Sequence, residues 1–300
     1  LPIFTVGTFD GVHLGHATIL NAMQERASLS GGQTVVLSFD PHPKKVLFPD
    51  SDPLPQIQSL EEKILCLDRC GVDHFVILPF TLDMSRLTAE QYVNMILVEG
   101  LHADCVYMGY DHRFGKGRVG NFEMLQSLGN TLGFNVEQIN EQIVDGEIVS
   151  STYIRNYLAE KNIVKANQLL GYPYFFDGFI VRGNQIGRTI GFPTANLHIN
   201  DEEKLIPANG VYAVRVSGKC FGNKTMDGMM NIGVRPTVDG HKKVIEVNIF
   251  DFNEEIYEQT ITVMVYDYIR GEEKFNGLDA LKAQLANDKI KIAAILKQYP

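Results

Sequence analysis

The sequence lacks features that mark several classes of protein. No apolar run approaches the roughly 20 residues that cross a bilayer, and no basic and then apolar leader is present, so we expect a cytoplasmic protein that does not act in a membrane. Acidic residues outnumber basic ones, 36 to 27, which argues against a protein whose main task is to hold nucleic acid. The four cysteines form no Cys-x-x-Cys pair, which favours reduced thiols. No Gly-x-x-x-x-Gly-Lys-Ser/Thr segment is present, which excludes a P-loop kinase.

The composition that is present is typical of a globular protein with two domains. Apolar residues make up 45% of the 300-residue chain, and a prior of about 150 residues per domain gives two domains. The first 160 residues are acidic, whereas the remainder is close to neutral. The secondary-structure pattern changes at about the same place. We therefore expect domains at residues 1–160 and 173–300.

The first half alternates short β-rich runs with amphipathic helical stretches. Strands are predicted at residues 3–6, 34–39, 75–78, 105–108 and 135–139. Ser59 and Thr88 each begin a segment of the capping-box form that opens a helix. This alternation predicts an α/β domain with a doubly wound parallel sheet, in which ligands bind beyond the carboxyl ends of the strands.

The second half consists of short alternating runs separated by turn residues. Strands are predicted at residues 178–182, 194–199, 210–216, 226–232, 244–250 and 259–266, and a helix at residues 278–298. Many short strands without helical crossovers predict a small antiparallel β-barrel with one C-terminal helix.

Residues 7–16 hold the densest group of candidate functional side chains. They read Gly-Thr-Phe-Asp-Gly-Val-His-Leu-Gly-His and lie between the first predicted strand and the first predicted helix. Glycines let a ligand approach the backbone, and a helix N-terminus offers free N–H groups to an anion. His13 and His16 are three residues apart, so they can share one helix face and reach the same phosphate. Two imidazoles there would stabilise negative charge at a phosphorus centre without a covalent step.

Other polar residues of the first half fit a phosphate site, each with a simpler alternative. Ser151, Thr152 and Arg155 would begin a short helix from which the guanidinium reaches a triphosphate, or they are an N-cap and a surface arginine. Arg113 lies in a basic, glycine-rich loop that suits a pyrophosphate or is merely solvated. His42, between two prolines, is either a ligand contact or a turn residue.

A second candidate site lies in residues 187–196, which read Gly-Arg-Thr-Ile-Gly-Phe-Pro-Thr-Ala-Asn. Thr194 and Asn196 are two apart on a predicted strand, so both would point the same way as neutral oxygen ligands for Mg²⁺. A plain turn explains these residues at least as well. Further along, the carboxylate of Glu246 could take the proton of a primary alcohol that attacks a γ-phosphate. A solvent-facing Glu on an amphipathic strand is the simpler interpretation.

The first motif resembles the His-x-Gly-His nucleotidyltransferase superfamily, and its Phe-Asp-Gly prefix is similar to the FAD synthetase branch. Three further segments resemble motifs of that branch and follow in family order: residues 38–43, 109–121 and 150–155. Four segments resemble the riboflavin kinase signature: residues 187–196, 209–212, 230–237 and 245–252. The whole chain is therefore similar to the bacterial bifunctional riboflavin kinase and FMN adenylyltransferase family. His112 stands where the family more often has Phe, and Asn248 where His is frequent.

This resemblance implies a Rossmann-like nucleotidyltransferase domain followed by a riboflavin kinase-like barrel, with riboflavin, FMN and ATP as partners and Mg²⁺ as cofactor. In the barrel, riboflavin and ATP would give FMN and ADP, with Glu246 as general base and with Thr194 and Asn196 holding magnesium-ATP. In the first domain, FMN and ATP would give FAD and pyrophosphate, with His13 and His16 stabilising the transition state. The residues expected to bind ATP or its phosphates are Gly7, Phe9, Asp10, Gly11, Gly15, Ser151, Thr152, Arg155, Gly187 and Arg188. The residues expected to bind the flavin are His42, Asp111, Arg113 and Asn121.

Two alternative functions stay open at the level of the sequence. One is an enzyme with a single working site beside a degenerate domain, which separate assays of the two half-reactions would reveal. The other is a non-catalytic, regulatory module that binds flavin nucleotides. The intact phosphate-loop and magnesium residues count against this second alternative.

Overall fold

The computed structural model describes residues 1–183, 186–222, 224–237 and 240–299. The chain forms two compact units, Leu1–Ser151 and Thr152–Pro300. Among the described residues, no helix combines the length and the apolar character needed to cross a membrane.

The first unit contains a five-stranded parallel sheet of order β3-β2-β1-β4-β5. Its strands are β1 (Pro2–Val6), β2 (Gln33–Asp40), β3 (His74–Pro79), β4 (Cys105–Gly109) and β5 (Asn135–Ile139). Its helices are α1 (Leu14–Ser30), α2 (Pro43–Leu47), α3 (Leu60–Arg69), α4 (Leu82–Ser85), α5 (Ala89–Tyr92) and α6 (Phe122–Leu132). A π-helix (Val93–Gly100) continues α5, a 3-10 turn spans Lys116–Arg118, and a small hairpin joins β6 (Ile143–Val144) to β7 (Glu147–Ile148). The strand order changes direction between β1 and β4, so the loops after these two strands flank the crevice where such sheets bind ligands.

Local sequence signals explain the helices of this unit. His13 caps the start of α1, and Gly31 ends it in the left-handed conformation with a φ of 65°. The capping boxes predicted at Ser59 and Thr88 are both present, at the starts of α3 and α5. Helix α1 packs on the sheet through a buried apolar stripe of Ile19, Leu20, Met23 and Ala27.

The second unit contains a closed barrel of order β10-β11-β12-β9-β8-β13, in which every pairing the structure gives is antiparallel. Its strands are β8 (Tyr174–Val181), β9 (Ala195–His198), β10 (Gly210–Ser217), β11 (Met226–Thr237), β12 (Gly240–Ile249) and β13 (Thr260–Arg270). Helices α7 (Ser151–Ala159) and α8 (Ile163–Leu170) precede the barrel, and α9 (Ile186–Thr189), a 3-10 turn (Lys219–Phe221) and α10 (Leu278–Leu296) complete it.

Helix α10 lies on β10, β11 and β13. Its Ile292 and Leu296 side chains are fully buried in the cluster that joins helix and barrel. An ion pair of 2.8 Å between the partly buried Arg270 and the buried Asp288 ties the helix to β13. The C-terminal helix therefore forms part of the barrel core.

The predicted fold class is confirmed, whereas several local predictions in the barrel are wrong. Strands β11 and β13 end five and four residues beyond their predicted ends, and β12 begins four residues before its predicted start. Strand β8 begins at Tyr174, four residues before the predicted start, because three consecutive aromatic residues, Tyr174 to Phe176, are all buried there. Thr194 precedes β9 and does not share a strand with Asn196. The four cysteines are free thiols, two of them buried.

Candidate active sites

The loop between β1 and α1, residues 7–13, lies at the carboxyl end of β1 and is called the β1–α1 loop below. A Cβ atom on Gly7 would lie 3.2 Å from the ring of Phe9, and a Cβ atom on Gly15 would lie 3.2 Å from the ring of His13. Both distances are tight contacts, so these glycines leave room for the two rings. The rings are thereby held beside the N-terminus of α1, where backbone N–H groups face an incoming anion.

His13 and His16 form the centre of this site. The Nδ1 atom of His13 accepts a hydrogen bond of 3.4 Å from the backbone N–H of His16. The two rings stack with centroids 3.7 Å apart and planes 15° apart, and the ring of Phe9 lies 4.6 Å from that of His16. Burial, followed by the charges of His13 and Lys63, holds the pKa of His16 well below its usual value. His16 is therefore neutral at pH 7, and its buried Nδ1 atom has no hydrogen-bond partner in the described part of the chain.

Asp10 ties the β1–α1 loop to the segment before α3. Its side chain is fully buried, and its carboxylate oxygens accept hydrogen bonds of 3.0 and 3.1 Å from the backbone N–H groups of Ile57 and Gln58. Gly11 follows it with a φ of 94°, a conformation that favours glycine. The carboxylate of Asp10 therefore shapes the loop, because its oxygens already serve backbone donors.

The predicted motif at residues 150–155 is divided between the two units. The hydroxyl of Ser151 donates a hydrogen bond of 2.8 Å to the backbone carbonyl of Asp10, so Ser151 belongs to the β1–α1 loop site. Thr152 and Arg155 lie in the second unit, where Thr152 is exposed and Arg155 is partly buried in α7. The structure thus joins Ser151 to the β1–α1 loop, and Thr152 and Arg155 follow it in the same helix.

The four residues predicted to bind the flavin have two kinds of environment. The side chains of His42 and Asn121 cap α2 and α6 by accepting backbone hydrogen bonds. Asp111 and Arg113 are exposed in the loop after β4, where the guanidinium donates a hydrogen bond of 2.9 Å to the carbonyl of His112. His42 and Asn121 therefore have a structural role in any case, whereas Asp111 and Arg113 are accessible to a ligand.

A small cavity beside β4 was not predicted from the sequence. The buried hydroxyl of Tyr92 finds no hydrogen-bond partner among the described residues, and its ring lies 5.7 Å from that of Phe114. Burial, helped by the charge of Arg118, lowers the pKa of His112 to about 4. The residues that line the cavity are Val6, Tyr92, Leu97, Val106, Tyr107, Met108, His112, Phe114 and Leu125. The motif around His112 was a signal for one wall, but nothing in the sequence pointed to Tyr92.

Three polar residues of the barrel stand side by side on β9, β12 and β11. Asn196 lies directly opposite Glu246, and Glu246 lies directly opposite Asn231. Residues opposite each other on neighbouring strands project from the same face. The Glu246 side chain is 21% exposed, and its carboxylate accepts a hydrogen bond of 2.9 Å from Nη2 of Arg235. This arrangement gives an oriented, accessible carboxylate beside two amides.

The segment before β9 is held by Asn248, which is buried. The Asn248 side chain donates a hydrogen bond of 2.7 Å to the carbonyl of Pro193. A Cβ atom on Gly187 would clash with a backbone carbonyl of the same turn and would lie 3.6 Å from the hydroxyl of Thr194. Arg188 is exposed in α9, within the same turn. The predicted residues of this segment are therefore clustered at the start of β9.

Hard oxygen donors that suit Mg²⁺ are present around this row. They are the hydroxyl of Thr194, the amide oxygen of Asn196 and the carboxylate of Glu246. Within the described residues, no three His, Cys, Asp or Glu side chains are grouped so that they could hold a metal ion by themselves. The chemistry of the donor set fits a cation that takes its other ligands from water and substrate phosphates.

Two charged residues near these sites were missed from the sequence. The Nζ atom of Lys63 donates a hydrogen bond of 2.7 Å to the carbonyl of Thr8 in the β1–α1 loop. The carboxylate of Glu272 lies 3.5 Å from the side-chain nitrogen of Asn209 and packs against Gly233. Both contacts join residues more than 35 positions apart, so no local sequence pattern could predict them.

Comparisons with known proteins match both units. The family described as FAD synthetase matches residues 2–153, and the family described as riboflavin kinase matches residues 170–296. The bifunctional riboflavin kinase/FMN adenylyltransferase of Escherichia coli (strain K12) is 38% identical over 288 residues, which cover 96% of this chain and 90% of that protein. The protein of the same name from Listeria monocytogenes is 40% identical over 290 residues, which cover 96% of this chain and 90% of that protein.

A solved structure is also similar over the whole chain. It is a crystal structure described as a macrolide-efflux protein from Streptococcus pneumoniae, with a TM-score of 0.88, 33% identity, and coverage of 96% of this chain and 92% of that one. The two family matches fall in the first and the second half of the chain, and the relatives named above span both halves. The chain belongs to the bifunctional riboflavin kinase/FMN adenylyltransferase family.

Proposed function

We propose that each unit of this chain performs one step of flavin cofactor synthesis at the site described in it. The chain phosphorylates riboflavin with ATP to FMN, and it adenylylates FMN with ATP to FAD and pyrophosphate. The observation that carries the assignment of steps to sites is the pair of constellations: stacked histidines at a helix N-terminus in one unit, and the Asn196–Glu246–Asn231 row in the other.

In adenylyl transfer, an oxygen of the FMN phosphate attacks the α-phosphorus of ATP. The bond from that phosphorus to the bridging oxygen breaks, and pyrophosphate leaves with the electron pair. When Nδ1 of His13 accepts the bond from the backbone N–H of His16, the proton of the ring lies on Nε2, which can donate to a phosphate oxygen. His16 and the free N–H groups of α1 add further donors to the same charge. The protein therefore needs no covalent intermediate.

In phosphoryl transfer, Glu246 takes the proton of the riboflavin hydroxyl as that oxygen attacks the γ-phosphorus. The bond from that phosphorus to the β,γ-bridging oxygen breaks, and ADP leaves with the electron pair. Arg235 orients the carboxylate through its hydrogen bond. Thr194 and Asn196 would hold a magnesium ion, which supplies charge neutralisation at the phosphates when bound. Asn248 keeps this segment in place through Pro193.

The remaining predicted residues keep their roles as part of the proposal. Gly7, Phe9, Asp10, Gly11 and Gly15 stay assigned to the ATP site. Asp10 also shapes the loop, and Ser151 joins it through a hydrogen bond. Thr152, Arg155, Gly187 and Arg188 stay assigned to phosphate binding. The domain limits 1–160 and 173–300 and the cytoplasmic location stay predictions.

A product time course tests the assignment. Purified protein is incubated with riboflavin, ATP and Mg²⁺, and in parallel with FMN, ATP and Mg²⁺, and the flavins are separated by chromatography. We expect the Glu246→Ala variant to lose FMN formation and to keep FAD formation from supplied FMN, and the His16→Ala variant to do the opposite. Equal loss of both activities in either variant would contradict the assignment of one site to each unit.

A further inference from the structure

Lys63 places a cation against the β1–α1 loop from a distant part of the chain. Its ammonium reaches the carbonyl of Thr8 at 2.7 Å, and the hydroxyl of Ser38 approaches the same carbonyl at 3.4 Å. Thr8 lies between β1 and the histidine pair, so the Lys63 ammonium stands at the edge of the proposed ATP site.

Helix α3 is anchored so that this position is fixed. Ser59 and Glu62 form the capping box at its start, and Glu62 is 3% exposed. Cys66 and Leu67 are buried in the following turn. The segment just before the helix is held by the carboxylate of Asp10. Because the start of α3, its following turn and the segment before it are all held in place, the Lys63 side chain is preorganised at the β1–α1 loop.

The charges around Lys63 argue that its role is electrostatic. Burial lowers the pKa of Lys63, whereas the carboxylates of Asp10 and Asp40 favour its charged form. After burial and His13, Lys63 in turn helps to lower the pKa of His16. Without Lys63, a triphosphate entering this loop would meet two carboxylates, those of Asp10 and Asp40. The nearby imidazoles, unlike an ammonium, need not carry a positive charge at pH 7. An ammonium has three N–H donors, and among the described residues it hydrogen-bonds to Thr8 alone, which leaves two donors for a ligand.

We propose that Lys63 is a catalytic residue of the adenylyl transfer, whose ammonium binds the triphosphate of ATP and stabilises the departing pyrophosphate. The inference rests on the proposed function of the histidine pair and adds a residue that lies outside every motif of that site. Lys63 exchanges no proton in the step, so bond formation and cleavage at the α-phosphorus are those given above.

The test uses the full chain and three variants. Lys63→Met removes the charge, Lys63→Arg restores it, and Arg69→Met removes an exposed cation from the same helix. We expect kcat/KM for ATP in FAD formation to fall about 10- to 100-fold in Lys63→Met, the loss of one charge-assisted hydrogen bond. We expect the KM for FMN to stay within about twofold. Lys63→Arg should recover most of the rate, and Arg69→Met and riboflavin phosphorylation should be unchanged.

A second measurement needs no variant. Inorganic tripolyphosphate should protect Lys63 from acylation in the wild-type protein and leave the exposed Lys282 unprotected. Absence of protection would overturn the inference, as would a Lys63→Met variant with normal FAD formation. An equal rise in the KM values for ATP and FMN would show a purely structural role and would also overturn it. A wild-type chain that makes FMN but no FAD would refute the proposed adenylyl transfer itself, which is a different outcome.

Discussion

Arg235 donates a hydrogen bond of 2.9 Å from Nη2 to Oε1 of Glu246, between the neighbouring strands β11 and β12. The pair is partly exposed, with side-chain exposures of 45% and 21%, so its effect on stability is small. We expect a larger effect on the chemistry, because the bond fixes the direction of the carboxylate that we propose as the acceptor of the substrate proton.

We expect Arg235→Met to lower the kcat of riboflavin phosphorylation about tenfold, the order of one charge-assisted hydrogen bond. FAD formation from supplied FMN should not change. The matched control is Arg86→Met, which removes an exposed ion pair of 3.1 Å with Asp83 in the first unit. A kinase rate of Arg235→Met equal to that of the control would show that Glu246 does not depend on this bond.

Asn248 carries the next prediction, since its side chain is the buried support of the Pro-Thr-Ala-Asn segment. Asn248→Ala leaves the carbonyl of Pro193 without this donor and should cost about 1–3 kcal/mol of stability in the second unit. The KM for magnesium-ATP in the kinase reaction should rise several-fold. Thermal unfolding and initial rates check both effects. An unchanged KM together with a lowered melting temperature would show that Asn248 stabilises the second unit without affecting magnesium-ATP binding.

Asp10 provides a prediction for the first unit. Asp10→Asn replaces an acceptor that serves two backbone N–H groups by one with a single acceptor oxygen, so a buried donor loses its partner. We expect the first unit to lose about 2 kcal/mol of stability and FAD formation to fall. The exposed Asp68→Asn on α3 serves as control. Full FAD formation by Asp10→Asn would mean that the β1–α1 loop keeps its shape without both hydrogen bonds to the Asp10 carboxylate.

His112 makes the first unit sensitive to acid. Its pKa is about 4 in the folded chain, whereas an unfolded His titrates near 6.5. As the pH falls from 6.5 to 4 the unfolded state takes up the proton first, so stability decreases in this window, by at most about 3 kcal/mol. Above pH 6.5 the His112 ring is neutral in both the folded and the unfolded chain, so its titration no longer changes the stability.

His112→Phe should therefore flatten the dependence of stability on pH between 4 and 6.5, while His74→Phe, at an exposed position on β3, should follow the wild type. Urea unfolding at several pH values, read separately for the two units by limited proteolysis, provides the measurement. His16 contributes a slope of the same sign in both variants. A wild-type slope in His112→Phe would assign the acid sensitivity to His16 or to other groups.

Local patterns in the sequence sufficed for the features that depend on neighbours along the chain. The alternation of strands and helices predicted the parallel sheet, and the spacing of His13 and His16 predicted two rings on one face, which stack in the structure. The capping signals at Ser59 and Thr88 marked two helix starts. These features are set by dihedral preferences and short-range hydrogen bonds.

Contacts between distant residues were beyond such patterns. The sequence placed Asp10 in the ATP site but did not show that its carboxylate accepts hydrogen bonds from N–H groups 47 and 48 positions away. Lys63 reaches the loop across 55 positions, and Arg235 meets Glu246 through the register of two strands. Such pairings depend on how the elements pack, which periodicity does not encode.

The barrel has a consequence for the order in which the protein becomes active during synthesis. Strand β13 pairs with both β8 and β10, so the β-barrel cannot close before residues 260–270 have left the ribosome. The parallel sheet of the first unit needs nothing beyond β5, which ends at Ile139. Domains fold as they emerge, and pairing across long separations is slow. A nascent chain should therefore acquire the fold that makes FAD well before it acquires the fold that makes FMN, the reverse of the order in which the two reactions run.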